Sequence, residues 1–345
     1  MNYYLKRGLQ SVFTLWAVLT ITFALTRWMP GGPLDFIRAQ MIAGNLGAAG
    51  GDPEVTGNAQ QLEQFNELAK TYINVVPSAP LHEQYITWMK STLSGDFGRS
   101  IWFNKPVEKV VIPAIPWTLF LGTVGIVTSF ITRVVVGSVL AYREGSWFDF
   151  GGTTALLWVQ SIPFFLIGIA LLYVTGYQWE WFPIAGRINP DATPGINWPF
   201  ISGVLNHAVL PVFSLAMASF GAGAIAMRAN SIQELGKDYL RVAKLRGVNS
   251  RRITTLYVAR NAILPMYTQM LIQIGYILSG SILIESIFQY KGLGFYLFTG
   301  IQARDYPLMM AIFLLLSVMI VITMFLADVT YSWVDPRVKR GSEAY

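Results

Sequence analysis

The chain has 345 residues and no cysteine, and only His82 and His207 offer an imidazole. Disulfide staples and thiolate metal sites are excluded, and little remains for imidazole-based metal or acid–base chemistry. Hydrophobic residues make up 53% and charged residues 13%, about half the charged share of an ordinary soluble domain, and mean hydropathy is +0.46. Such a composition belongs to a polytopic membrane protein, and the net charge of +6 matters less for its size than for where it lies.

The first apolar run is residues 8–29, preceded by Lys6 and Arg7. It approaches spanning length and ends in Thr26-Arg27-Trp28 without a small-x-small cleavage pattern, so a retained span is expected. From Pro30 to about Ile112 the sequence reads as an extramembrane segment. Gly44 to Gly57, rich in Gly and Ala, is expected to be a loop. Two short helices are expected after it, one with Leu62, Phe65, Ala69 and Tyr72 on a shared face, the other with Tyr85, Trp88, Met89 and Leu93. The second stripe suits either packing against neighbouring helices or the membrane surface.

A second span is expected near 114–140, with Arg133 toward its far end and Arg143 just beyond it. A third follows over about 151–176 and carries Pro163, then an aromatic cluster of Trp179, Trp181 and Phe182. Residues 183–205 read as an external loop. The fourth span covers about 208–227, where Ala218, Ser219, Ala222 and Gly223 permit close helix approach. A fifth is expected near 264–288, an external loop over 290–306, and a sixth span over about 307–331. The fold class expected is therefore an all-α integral membrane protein with six transmembrane helices. The divisions are 1–29 for the N-terminus and first span, 30–112 for the external segment, 113–335 for the membrane core and 336–345 for the tail.

Between the fourth and fifth spans lies a strongly basic insert, 228–263. It carries Arg228, Lys237, Arg241, Lys244, Arg246, Arg251, Arg252 and Arg260 against only Glu234 and Asp238. With Lys6, Arg7, Arg143, Arg337, Lys339 and Arg340 these basic residues fall on one side of the expected membrane, whereas the short loops opposite hold only Arg187, Lys291 and Arg304. The positive-inside rule then makes both termini and the insert cytoplasmic. Ser231 with Glu234 suits a capping box, Leu235, Tyr239 and Val242 suit one apolar face, and Gly247 suits a helix stop. A second helix from Asn249 or Ser250 to about Ala262 is expected.

Several motif-like stretches carry no chemistry. Gly221–Ala226 (GAGAIA) has the letters of a dinucleotide fingerprint but no strand before it. Ser231–Asp238 (SIQELGKD) has Ser in place of the first glycine of a P-loop and Asp in place of its final Ser/Thr. ATP, if it is used, is therefore expected to be hydrolysed by another polypeptide. The acids Glu285 and Asp328 lie near span ends, which weakens the reading as an ion-coupled secondary carrier. A helix–glycine–helix in a basic context also suits a DNA reader, but a DNA reader fixed between two spans is not expected, and nucleic acid is not among the expected partners.

The insert resembles the cytoplasmic coupling loop of binding-protein-dependent ABC importer permeases. Arg241-Val242-Ala243, three residues, then Gly247 occupy that family's EAA–x3–G pattern, with Arg241 in place of Glu and Val242 in place of Ala. These departures, and Leu264-Pro265 about five residues later than the general pattern, are similar to the dipeptide/oligopeptide branch. SGDFGRSI with Pro106-Val107, REGSWFD at 143–149, WFPIAG at 181–186, HAVLPVFSLAMA at 207–218, YKGLG at 290–294, RDYP at 304–307 and DPR at 335–337 extend the resemblance over most of the chain. Residues 41–60 do not share it.

The resemblance implies a multi-pass inner-membrane permease subunit, with no ATP site or cofactor of its own. It implies as partners a second homologous permease subunit (a heterodimer), two ATPase subunits that bind ATP and Mg, an external solute-binding protein and membrane lipid. Peptide is the implied cargo, with oligosaccharides and nickel complexes also carried in that branch. In the implied coupling helix Tyr239, Leu240 and Ala243 give apolar contact to the ATPase, Arg241 and Lys244 meet acidic or backbone acceptors, and Gly247 turns the chain back toward the fifth span.

Overall fold

A computed structural model describes residues 3–43, 58–249, 252, 261–263, 265–267, 269–270 and 282–334. Among them the secondary structure is helical, with a single isolated bridge between Arg99 and Pro106. The expected loop 44–57, most of the second helix of the insert, most of the fifth span and the tail from 335 lie outside the described residues. The chain divides into two compact units, 1–116 with 295–325 and 117–294 with 326–345.

In the first unit, α1 (Tyr3–Trp28) is followed by α2 (Pro33–Ile42). The sequence pattern does not predict α2. Its start is nonetheless written locally: Pro33 supplies a preset φ at the first helical position, and the Gly31 N–H donates to Asp35 Oδ2 at 2.9 Å. α3 (Asn58–Ile73) and α4 (Leu81–Leu93) are the two helices expected in this segment. They build a core with α1, α2 and α13 (Tyr306–Val334) from Phe23, Ile37, Phe65, Ala69, Ile73, Val75, Trp88 and Leu314. The stripe of α4 is thus a packing face, not a membrane-surface face. Both expected stripes need correction at one end, because Leu62 and Leu93 are exposed.

α5 (Val107–Val111) leads through a 3-10 turn, Ile112–Ala114, toward the second expected span. The expected loop 290–306 contains instead α12 (Leu293–Ala303), apolar but too short to span. Asp305 sits between α12 and α13, fully buried. It accepts from Ser100 Oγ at 2.5 Å, from the Trp102 N–H at 3.0 Å and from the Leu308 N–H at 3.2 Å. SGDFGRSI and RDYP, far apart in sequence, are therefore two halves of one hydrogen-bonded knot.

In the second unit, α6 (Ile115–Tyr142) shows a membrane pattern. Leu119, Val127, Ile131, Val135 and Val139 form an exposed apolar row at near-fourfold spacing. The opposite face buries Gly125, Ser129, Arg133, Gly137 and Leu140. Small and polar residues inward with branched apolar residues outward is how a helix packs in lipid. The expected third span is not one straight helix: α7 (Trp147–Ser161) and α8 (Phe164–Leu171, continued as a π-helical turn Leu172–Gln178) meet at 92°. The cause is Pro163, which cannot donate a helical N–H and holds Ile162 in extended backbone.

The fourth span is broken as well. α9 (Trp198–Met217), which starts within the expected external loop and is capped by the Asn197 side chain, ends before Ala218-Ser219, and α10 (Phe220–Leu235) begins anew. α10 packs closely on α6 and α7: a Cβ at Gly137 would lie 2.4 Å from the Ala224 carbonyl, and one at Gly221 2.6 Å from the Leu156 carbonyl. Among the described residues four helical stretches are long and apolar enough to cross a membrane, and five if the bent α7–α8 pair counts as one. Residues 282–287 are helical where the fifth span was expected.

Candidate functional site

The basic insert opens on the last turns of α10, pauses at Gly236-Lys237, and forms α11 (Asp238–Leu245). Ser231 lies inside α10, so the expected capping box is not formed, and the break comes five residues later. The apolar face of α11 is also not the expected one. Leu240, 1% exposed, and Ala243 are buried against Leu235 and Val248, whereas Tyr239 and Val242 face outward at 39% and 48% exposure. Eight residues are too few to bury two opposite faces, so one apolar side holds the helix and the other stays open.

The C-terminal stop falls at the glycine. Gly247 has φ of +71°, the left-handed region where residues bearing a Cβ are strained, and the Val248 N–H reaches back to the Ala243 carbonyl at 3.2 Å. Val248 then packs on Ala243 and Leu240. This is a Schellman stop with its usual hydrophobic contact. Of the residues singled out, Leu240 and Ala243 thus seat the helix, while Tyr239, Arg241 and Gly247 lie on its accessible side. Lys244 lies in its last turn.

Glu234 ties the end of α10 to α11. It accepts from Lys237 Nζ at 2.5 Å and from the Tyr239 hydroxyl at 2.8 Å, and Asn261 Nδ2 donates to the same tyrosine oxygen at 2.8 Å. Burial pushes the Glu234 carboxyl up, but the bonds from Lys237 and Tyr239 outweigh it and hold it below the usual value. Lys237 is raised, chiefly by its bond to Glu234, and Tyr239 is raised by burial and then by Glu234.

At the first position of the insert, Arg228 makes a two-pronged pair with Asp149 of α7. Nε donates to Oδ1 and Nη2 to Oδ2, both at 2.6 Å. Asp149 is buried, and it also accepts from the Gly145 N–H at 3.1 Å, while Ser146 caps α7 by accepting from the Asp149 N–H at 3.2 Å. Its carboxyl is held below the ordinary aspartate value, first by the Arg228 bond, and the Arg228 guanidinium is raised by the same bond. REGSWFD at 143–149 is therefore a clasp that joins the α6–α7 turn to the helix feeding α11. The sequence offered REGSWFD and the arginine separately, with nothing to pair them.

The far end of this unit is organised by Glu285. The Thr118 hydroxyl donates to Glu285 Oε1 at 2.9 Å and accepts from the Leu293 N–H at 2.7 Å. A Cβ at Gly292 would lie within 2.5 Å of both side chains, so YKGLG can close over the carboxylate only with glycine there. Tyr290 is buried beside it, its hydroxyl pushed upward by burial and then by the Glu285 charge. Arg187 lies over the Trp117 ring, 4.7 Å from its centroid, and donates to the Lys291 carbonyl at 2.7 Å. Among the described residues no group of acids and histidines has metal-site geometry.

Fold and site together define a polytopic all-α membrane protein whose basic insert carries a short helix packed on the end of α10. Residues 133–340 match the model of the binding-protein-dependent transport system inner membrane component family, and the chain belongs to that family. It is similar, at 29% identity over 98% of this chain and 99% of the relative, to the dipeptide transport system permease protein DppB of Escherichia coli (strain K12). It is 30% identical, with the same coverage, to the oligopeptide transport system permease protein AppB of Bacillus subtilis (strain 168). The di/tripeptide transport system permease protein DppB of Pseudomonas aeruginosa (strain UCBPP-PA14) is 27% identical over 94% of this chain and 95% of its own length. The chain is thus the membrane-spanning permease component of a transport system of the ABC type.

Proposed function

We propose that this chain is one of two homologous permease subunits, paired as a heterodimer, of an ATP-driven importer for di- and oligopeptides. Two ATPase subunits bind ATP and Mg and drive it, and an external solute-binding protein delivers cargo. The observation that carries the cargo assignment is the near-full-length similarity to several permeases named for dipeptide or oligopeptide transport. The permease has six spans, with both termini and α11 on the cytoplasmic side, a reading supported by the basic residues gathered in the insert.

The mechanism follows from the supports of α11. Tyr239, Val242 and Arg241 form its open side and meet the ATPase, and Lys244 adds charge in its last turn. Leu240 and Ala243 hold it from beneath, and Glu234 links it to α10. When ATP closes the ATPase pair, the displacement of α11 passes into α10. From there it passes through the Asp149–Arg228 pair into α7 and through the close Gly137 contact into α6. The spans then tilt and the cavity between the two permeases changes the side it faces.

Purification of the complex tests the assembly. A tag on this chain is expected to retain a second permease and two ATPases, and the Arg241→Glu/Val242→Asp variant is expected to lose the ATPases while keeping the second permease. Recovery of the chain without ATPases under all mild solubilising conditions overturns the reading.

A further inference from the structure

The break between α9 and α10 lies level with the middle of α6. Ser129, midway along α6, fixes that level: its hydroxyl donates to the Ala216 carbonyl at 3.2 Å and bonds the Ser219 hydroxyl at 3.0 Å. Ser219 is the residue before α10, yet its side chain does not cap the helix. The first-turn N–H groups of Phe220, Gly221 and Ala222 therefore have no side-chain cap, and they lie at the positive end of a 16-residue helix.

Beside that end stands Arg133, one turn beyond Ser129 on α6 and only 1% exposed. Its chain passes over Gly223, where a Cβ would lie 2.4 Å from Cδ and 3.3 Å from Nη1. Helical side chains lean toward their own N-terminus, and Cζ accordingly lies near Phe130, about one turn back along α6. Nε and Nη2 have no hydrogen-bond partner among the described residues, and the nearby Phe130 ring, 5.7 Å from Cζ, offers only its π-face. A cation held in a span beside a helix's positive end is costly unless an anion joins them. Broken membrane helices use such half-helix N-termini to hold anionic groups.

We infer that Arg133 and the first turn of α10 form a carboxylate-binding site within the membrane, and that its occupant is the C-terminal carboxylate of the peptide cargo. The occupant rests on the peptide reading above; the anion site does not. Because the guanidinium is covered in this conformation, the carboxylate enters in another state of the transport cycle.

The test uses the complete detergent-solubilised transporter without the binding protein, whose own affinity would mask the site. Thermal unfolding is followed against dialanine, dialaninamide and acetate, with and without ATP, in wild type, Arg133→Gln, Arg133→Lys and Gly223→Ala. In at least one nucleotide state dialanine, and acetate at higher concentration, are expected to raise the wild-type midpoint, and dialaninamide is not. Arg133→Gln and Gly223→Ala are expected to weaken the dialanine effect about tenfold or more, as when a charge-assisted hydrogen bond is lost, and Arg133→Lys to retain part of it. Equal protection of wild type and both Arg133→Gln and Gly223→Ala overturns the site, as does absence of any carboxylate effect on wild type. If that absence accompanies ATP-driven dialanine uptake, the peptide reading stands and only the site falls. If acetate protects in an Arg133-dependent way but no peptide does, the assignment of peptide as occupant is overturned.

Discussion

At residue scale the proposed coupling loop turns on Gly247. A side chain there meets the left-handed backbone at φ +71°, a cost of about 1–2 kcal/mol for a residue with a Cβ and more for a branched one. Gly247→Val is therefore expected to insert normally and to lower uptake per ATP hydrolysed several-fold, read in vesicles that report both rates; an unchanged ratio contradicts the role assigned to the turn. Asp149 and Arg228 give a second prediction. Asp149→Asn leaves the guanidinium of Arg228 without its counter-ion, and removing one partner of a buried pair costs about 3–5 kcal/mol, with Arg228's partial exposure placing it near 3. The Asp149 carboxyl is depressed, so the pair's stabilisation is complete above the ordinary aspartate value of about 3.9 and is lost as pH falls through the lower folded value. The difference in unfolding midpoint between wild type and Asp149→Asn should accordingly be full at neutral pH and shrink below about pH 4. Gly247 could be read from the sequence because a glycine stop is a local signal. The Asp149–Arg228 pair could not, since its members stand 79 residues apart. Ser231 misled because a capping box is only a three-residue spacing, and here that spacing lies within α10.

At the scale of elements, the spans found among the described residues were legible and their breaks were not. Hydropathy averages over a window of about 19 residues, so α9 and α10 merge into one run even though Ala218-Ser219 ends the first helix. Pro163 was visible, but a proline inside a span allows anything from a mild kink to the 92° bend found. α12 was hidden for another reason: its 11 residues are too few for a span, and the stretch begins in YKGLG, which reads as a turn. The contact of α6 with the α9–α10 break supplies an element-scale prediction. In a chain without native cysteine, Ser129→Cys with Ser219→Cys is expected to cross-link readily on mild oxidation. Adding Gly137→Val, whose side chain would collide with the Ala224 carbonyl and Met227, is expected to reduce that cross-link strongly. Band shifts on gels read the result, and equal cross-linking with and without Gly137→Val would contradict the packing. Leu240→Ala, which removes the main buried anchor of α11, is expected to weaken ATPase retention during purification without altering membrane insertion.

At the scale of the whole molecule, a membrane core is proposed to be joined to an energy source that the chain is not expected to contain. Composition and charge placed the chain in a bilayer, and the family match makes it a transport permease. The structure adds the contacts on which the proposed route rests, from α11 through Glu234, α10, Asp149 and the glycine contact with α6, all within one compact unit. That route requires uptake to follow ATP use by partner subunits and to be indifferent to ion gradients. The most direct measurement is dialanine uptake into proteoliposomes holding this chain, its second permease and the ATPases, with the binding protein outside and ATP within. Accumulation is expected to need ATP and the binding protein, to persist when proton and sodium gradients are dissipated, and to fall sharply in Gly247→Val. Accumulation driven by an ion gradient with this chain alone, and unaffected by ATP, would contradict that expectation.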